Sequence, residues 1–354
     1  MGGPAASAAG ACPSCGEPVG PQDSFCESCG TELAPAAVSS GEPGDARSCP
    51  SCQSARISAD GYCEECGRRV PSGRDHQELD LGLLAGVTDR GLRHHRNEDA
   101  MALATAETPG GPAALAVVCD GISTSDRPDE ASLAAAQAAI RVLLSAARSG
   151  EDLAEASSKA VQSAREAVAS LAGSSGDGPS ATFVSAVMTS EAVTVCWLGD
   201  SRAYWLGAGP GPDARRLTTD DSLAEEMVAA GLLAESDALA SPQAHVVTRW
   251  VGADPGPSAP HVARFEPPGP GVLLLCSDGL WNYQPEAVEL AELALPAALA
   301  DPLGAAGTLV TFALEAGGRD NITVVLAPFP PARPDTAALR RPSAEASDTH
   351  AEEN

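Results

Sequence analysis

The chain has 354 residues and a formal net charge of -26, long enough for one large domain and a small one. That charge argues against a nucleic-acid partner, because such a surface needs clustered Lys and Arg to displace counterions from phosphates. No stretch approaches the roughly 20 apolar residues of a membrane span, and residues 1–11 lack the basic and apolar regions of a signal peptide, so a cytoplasmic protein with no membrane partner is expected.

The first feature along the chain is a duplicated cysteine pattern. Cys12-x2-Cys15 with Cys26-x2-Cys29 forms one unit, and Cys49-x2-Cys52 with Cys63-x2-Cys66 repeats it. The match extends to Phe25 and Tyr62 before the third cysteine and to Gly30 and Gly67 after the fourth. Four thiolates on two tight turns suit a tetrahedral structural zinc, so two Zn²⁺ are expected. Disulfides are disfavoured in a cytoplasmic chain. The region 10–70 resembles the double zinc ribbon of many prokaryotic multidomain proteins, in which metal binding supplies most of the folding free energy. Residues 71–79 read as a polar linker.

From Leu81 the pattern becomes that of a layered domain. Leu81 to Val87 is a strand candidate, followed by a turn and the charged run Leu92-Arg93-His94-His95-Arg96-Asn97-Glu98-Asp99. Leu115 to Asp120 is an apolar, β-rich run that ends abruptly in Asp120-Gly121. Helices are predicted over Glu130 to Ala147 and Glu151 to Ala172, then strands over Ala181 to Met188, Val193 to Leu198 and Arg202 to Leu206. Asp220-Asp221-Ser222 opens a helix, with Ser222 and Glu225 at capping-box spacing. Val246 to Val251 and Val272 to Cys276 are further strand candidates, and the latter runs into Ser277-Asp278-Gly279. Helices over Pro285 to Ala300 and Pro302 to Ala316 precede Arg319-Asp320-Asn321 and a last strand, Ile322 to Ala327. Residues 329–354, rich in Pro, Ala and charge, read as a disordered tail.

Strand runs separated by helical pairs predict an α+β domain over 80–328, a central β-sandwich flanked by helices. Asp120, Asp200, Asp278 and Asp320 each fall at a strand end, and all-oxygen donors of this kind suit Mg²⁺ or Mn²⁺ rather than zinc. Lys159 is the only lysine, so the Gly-Lys-Ser/Thr of a Walker-type phosphate loop is absent. Cys119, Cys196 and Cys276 lie inside apolar strands and read as small core residues; His245 and His261 read as structural.

In order and spacing, Arg96-Asn97-Glu98-Asp99, Asp120-Gly121, Gly199-Asp200-Ser201-Arg202, Ser277-Asp278-Gly279-Leu280 and Arg319-Asp320-Asn321 resemble the metal-dependent serine/threonine protein phosphatases of type 2C. The resemblance covers 80–328 and implies a β-sandwich between helical pairs. It also implies hydrolysis of phosphoserine and phosphothreonine by water activated between two divalent metals. Asp120 would bridge both ions, the Gly121 carbonyl would bind the first, and Asp278 and Asp320 would hold the second. Glu98 and Asp99 would coordinate or orient metal-bound water, and Asp200 would serve a third, weaker site. Residues from Asp220 to about Val247 fall where the family carries a flap. Phosphoproteins are the expected substrates, with a serine/threonine kinase system as the candidate partner and the ribbons as recruiting modules.

Two departures stand out. His94 occupies the position of the family's phosphate-clamping arginine, so Arg96 or Arg93 is expected to take that role, with Arg96 favoured because it shares a strand face with His94. Ile122 follows Asp-Gly where some members carry a histidine acid, which leaves His94, His95 or water to protonate the leaving group. These departures also motivate the alternative of a catalytically weak scaffold or binding module.

Overall fold

The computed structural model describes residues 49, 52–58, 62–68, 70, 73–173, 178–209, 213–238, 241–252 and 259–331, with short strands at 10–11, 18–19 and 37–38. In chain order the elements are β1 (Gly10–Ala11), β2 (Pro18–Val19), β3 (Ala37–Val38), β4 (His76–Asp80), β5 (Ala85–Asp89), β6 (Asp99–Thr108) and β7 (Gly111–Asp120). Helices α1 (Pro128–Ser149) and α2 (Leu153–Ala169) lead to β8 (Ser180–Ala181), β9 (Phe183–Met188), β10 (Val193–Leu198), β11 (Arg202–Gly207) and β12 (Ala214–Arg216). Next come α3 (Leu223–Ala229), α4 (Glu235–Ala238), a 3-10 turn (Pro242–His245), β13 (Val251–Gly252), β14 (His261–Phe265) and β15 (Gly271–Cys276). The chain closes with α5 (Asp278–Trp281), α6 (Ala287–Ala298), α7 (Pro302–Ala316) and β16 (Ile322–Phe329).

Two antiparallel sheets face each other, in the orders β14-β10-β9-β7-β6-β3 and β12-β11-β15-β16-β5-β4. Each central strand is buried on both faces, which explains why its sequence reads as a continuous apolar run rather than an alternation. In β15, Leu273 and Leu275 enter the core between the sheets with Met101, Val118, Trp205 and Val325. Val272, Leu274 and Cys276 face outward onto α6 and α7, beside Leu309 and Val310. In β7, Leu115, Val117 and Cys119 pack outward under α1 and α2, against Ile140 and Leu143. The result is the expected α+β sandwich between helical pairs. Cys119, Cys196 and Cys276 are all fully buried in these packed layers.

Several boundaries differ from expectation. Residues 76–79, assigned to the linker, form most of β4, which pairs with β5 along its length. Just before it, Arg74 runs under the next loop: it donates to the carbonyl of Asp129 at 3.2 Å, and its own carbonyl accepts from Asn97 Nδ2 at 3.1 Å. Phe329, placed in the tail, ends β16 and stacks edge-on against Trp205 at 5.8 Å. The expected disorder of the remaining tail lies outside the described residues from 332 on. Strand β6 was not legible: Asp-Ala-Met-Ala-Leu-Ala-Thr-Ala-Glu-Thr has weak β propensity, yet it pairs with β7 over all ten residues. Of the run Val246 to Val251, only Val251 joins a strand, β13.

Where the chain passes from β10 in one sheet to β11 in the other, it is clamped to the segment that follows β12. Arg202, 1% exposed, pairs with Asp220 at 2.6 Å, and its guanidinium lies 3.7 Å over the Trp281 ring. Ser222 caps α3 by accepting from Glu225 N at 3.3 Å, as its spacing predicted. Replacing Arg202 with Met would leave buried Asp220 with only the more distant Arg216, at 3.8 Å, to offset its charge. Urea unfolding should then show a loss of about 3–5 kcal/mol, and a loss below about 1 kcal/mol would mean that the pair is not needed to neutralise the site.

Candidate metal centres

The register of β6 and β7 sets Asp99 directly opposite Asp120, at the same end of the first sheet. In the second sheet, Asp278 follows β15 and Asp320 precedes β16, while Asp200 sits in the β10–β11 crossover. Strand ends from both sheets therefore bring these carboxylates to one place, and their charges are felt mutually. Burial first, then Asp99, Asp278, Asp320 and Asp200, holds Asp120 well above the usual carboxylate range. Burial and then Asp320, Asp200 and Asp99 do the same to Asp278. Asp200 is pushed up to about 7 by burial and Asp220, with Arg202 opposing. Asp99 is pushed up to about 6 by burial, against hydroxyl donors from Ser277 and Thr323. Asp120 and Asp278 keep a limited opening to solvent, the route by which an ion or substrate would reach them.

The donor set fits hard divalent cations. Asp99 Oδ1 and Asp278 Oδ1 are buried with no hydrogen-bond partner, which is costly for a carboxylate unless a cation completes it. Gly121 is required by close approach: a Cβ there would lie 2.4 Å from the Pro128 carbonyl oxygen and 2.7 Å from that of Glu98. Its N–H donates to the Glu98 carbonyl at 3.1 Å, tying the two motifs together.

Around the rim, the predicted residues separate. Glu98 is buried, accepting from Arg96 Nε at 2.9 Å and from the Ser123 hydroxyl. Arg96 is 55% exposed and also lies 3.7 Å from Asp129. His94 Nε2 faces Asp320 Oδ1 at 3.2 Å. His95 points instead to the ribbon, its Nδ1 2.6 Å from the hydroxyl of Tyr62. His245 stacks on Trp281, and His261 stacks on Trp197 while contacting Asp221 Oδ1 at 2.9 Å.

Sequence reasoning missed the residues that hold this site. Asn321 Oδ1 accepts from Glu98 N at 2.7 Å, and its Nδ2 bridges the carbonyls of Arg90 and Arg96. Asp221 Oδ2 accepts from Gly199 N at 3.0 Å, fixing the turn that carries Asp200. The first lies in a quoted motif and was legible as a position; the second had no signal beyond its charge.

Of the cysteine units, Cys12, Cys15, Cys26 and Cys29 lie outside the described residues. Cys49, Cys52, Cys63 and Cys66 converge, with ligand atoms all within 4.8 Å of one another. Separations of 3.6 Å for Cys49–Cys66 and 3.4 Å for Cys52–Cys63 lie close to the edge of a Zn–S tetrahedron, about 3.8 Å for bonds of about 2.3 Å. The Cys66 N–H pulls the Cys63 thiol below its usual range against burial, while Cys52, despite the Ser54 N–H that lowers it, is pushed up to about 12 by its bond to Cys63. Gly67, at φ 67°, makes the left-handed turn that closes this loop.

The fold and this acid cluster define a metal-dependent phosphatase architecture, and comparison with known proteins gives the family. A profile for Protein phosphatase 2C matches residues 92–296, and one for Double zinc ribbon matches residues 12–70. The chain belongs to the protein phosphatase 2C family and carries an N-terminal double zinc ribbon. It is 35% identical over 152 residues to the serine/threonine phosphatase stp of Listeria innocua, covering 42% of this chain and 57% of that protein. The chain thus spans little more than half the length of that relative. The phosphatase MsPP of Mycobacterium smegmatis, solved with cacodylate, superposes with a TM-score of 0.54 at 28% identity, over 70% of this chain and 99% of that one. The catalytic domain of PstP, solved with 2 manganese ions, superposes with a TM-score of 0.54 at 25% identity, over 69% and 97% respectively.

Raised carboxylates mean that the folded, metal-free protein holds protons that the unfolded chain has released. Their contribution to stability therefore falls as pH rises from the ordinary value of 3.8 through about 6 and about 7. Asp120→Asn should accordingly raise the metal-free melting temperature at pH 7.5 by at least about 2–4 °C. The gain should shrink toward pH 4, and a gain independent of pH would show that Asp120 does not carry the repulsion. Chelating zinc should release the titratable thiols of both units, those of Cys49, Cys52, Cys63 and Cys66 among them. Thiols as reactive before chelation as after would argue against a bound metal.

Proposed function

We propose that the protein is a Mg²⁺- or Mn²⁺-dependent phosphatase that hydrolyses phosphoserine and phosphothreonine in proteins, in the cytoplasm. The observation that carries this reading is the convergence of Asp99, Asp120, Asp200, Asp278 and Asp320, with two buried carboxylate oxygens lacking any partner. In this reading Asp120, the Gly121 carbonyl, Asp278 and Asp320 would be the groups that hold the divalent cations. Glu98, Asp99 and Asp200 complete the surroundings. Bound there, divalent cations supply the charge that activates water and offsets the phosphoryl oxygens.

The chain's own residues do the positioning. Arg96, held at Nε by Glu98 and 3.7 Å from Asp129, is the guanidinium we assign to engage phosphate oxygens, as its planar fork allows. His94 is turned toward Asp320 and steadies that carboxylate rather than replacing the clamp. Ile122 has no proton to give, so the leaving alkoxide takes its proton from solvent at the open mouth. A catalytically weak scaffold is the second reading, favoured by the same His94 contact, because no arginine occupies that position.

For the ribbons, with two structural Zn²⁺, we propose client or kinase recruitment. Tyr62, beside the ligand Cys63, reaches His95 next to His94, so a client held by the ribbon lies at the mouth of the site. A deletion ending before residue 73 keeps Arg74, which is built into the catalytic domain, and removes β3 from the edge of the first sheet beside β6.

Full-length protein should release phosphate from a phosphothreonine peptide only with Mn²⁺ or Mg²⁺, and Asp278→Asn should lower kcat at least about a hundredfold. Undiminished turnover by Asp278→Asn would sink the assignment. Negligible turnover by metal-saturated wild type would favour the scaffold. Arg96→Ala should raise KM for the peptide about tenfold or more, with Arg96→Lys restoring only part. Removing residues 1–72 should change the ranking of protein substrates while leaving turnover of a small phosphoester.

A further inference from the structure

Asp99, like Asp278, has one oxygen that accepts hydrogen bonds and one that is buried without a partner, and at Asp99 the accepting oxygen is held by two hydroxyls. Oδ2 accepts from the Ser277 hydroxyl at 2.7 Å and from the Thr323 hydroxyl at 2.7 Å. Oδ1 is buried and has no partner. The donors are themselves fixed by a chain of hydrogen bonds. Asp99 N donates to Asn97 Oδ1 at 3.2 Å, so the amide nitrogen of Asn97 must face the other way. There it donates to the Arg74 carbonyl at 3.1 Å and to Thr88 Oγ1 at 2.9 Å.

Thr88 then donates to Thr323 Oγ1, 2.7 Å away, because the Thr323 proton is already committed to Asp99. Ser277 Oγ accepts from Thr323 N at 3.0 Å, which leaves its own proton for Asp99. Thr88, Asn97, Ser277 and Thr323 are each no more than 2% exposed, so water cannot substitute for any of these bonds. Rotating the Asp99 carboxylate would break two charge-assisted bonds at once and strand both hydroxyls.

We propose that Ser277 and Thr323, backed by Thr88 and Asn97, are positioning residues that pin Oδ2 of Asp99 and so keep Oδ1 turned into the acid cluster as a preset ligand for a divalent cation. The inference rests on the metal reading above and adds what sets the affinity of that site. The hydroxyl relay links β5 and β16 of one sheet to the start of β6 in the other. The same bonds that lock the sheets together therefore aim the ligand.

The test uses full-length, zinc-loaded protein with Mn²⁺ as the probe, following unbound Mn²⁺ by electron paramagnetic resonance and heat by calorimetry. Thr323→Val and Ser277→Ala should each weaken Mn²⁺ binding about tenfold or more, whereas Thr323→Ser should bind like wild type. Should Thr323→Val fail to fold, Ser277→Ala carries the test, with metal-free melting recorded for each variant. Lowered melting with Mn²⁺ affinity within about twofold of wild type would make these residues structural only and overturn the proposal. Wild type that binds no Mn²⁺ would overturn the metal reading itself, a separate outcome.

Discussion

Everything at the active end of this molecule answers to one constraint: several carboxylates are gathered where water cannot fully screen them. Isolated charges in such a place are expensive, and each raises the proton affinity of the others. Burial first, and that repulsion second, raise Asp120 and Asp278. An arrangement of this kind persists only where its cost is offset by opposite charge; the donors that touch Asp99 and Asp278 are neutral hydroxyls and an amide, and the Arg202 guanidinium is already paired with Asp220. The cluster is thus under-neutralised by protein, which is the condition a site must meet to take up divalent cations.

The sandwich supplies the convergence. A single sheet could align Asp99 with Asp120 but could not add Asp278 and Asp320, which come from the facing sheet. The crossover from β10 to β11 supplies Asp200, and it is held by Asp221 and by the Arg202–Asp220 pair packed on Trp281. Rigidity at these strand ends follows from double-sided burial, since each strand is fixed by helices on one face and by the opposite sheet on the other.

The ribbon region is more closely joined to this machinery than a linker would allow. Arg74 runs beneath Asn97, β4 completes the second sheet, and Tyr62 meets His95 at the rim. Sequence composition could not reveal this, because Pro71 to Gln77 carries no large apolar side chain and a mostly polar edge strand looks like a linker. Only one face of β4 is covered, its residues alternating between exposed and half-buried, so half of them need no apolar character.

The sequence by itself determined the chemistry on offer: thiolates in repeated pairs, oxygen donors at the ends of apolar runs, and a helix–strand order that fits one layered architecture. These features are local, and spacing along the chain records them. Tertiary structure decided what local pattern cannot encode. It made a strand of the alanine-rich β6, because pairing with β7 along its full length outweighs weak propensity. It turned His94 onto Asp320 and His95 onto Tyr62, although the two are neighbours in the chain. It also set Ser277 and Thr323 on one oxygen of Asp99, with Thr88 behind Thr323, from three separate segments. Such long-range contacts arise only when the sheets close, since the residues that make them are ordinary hydroxyls with no signature of their own.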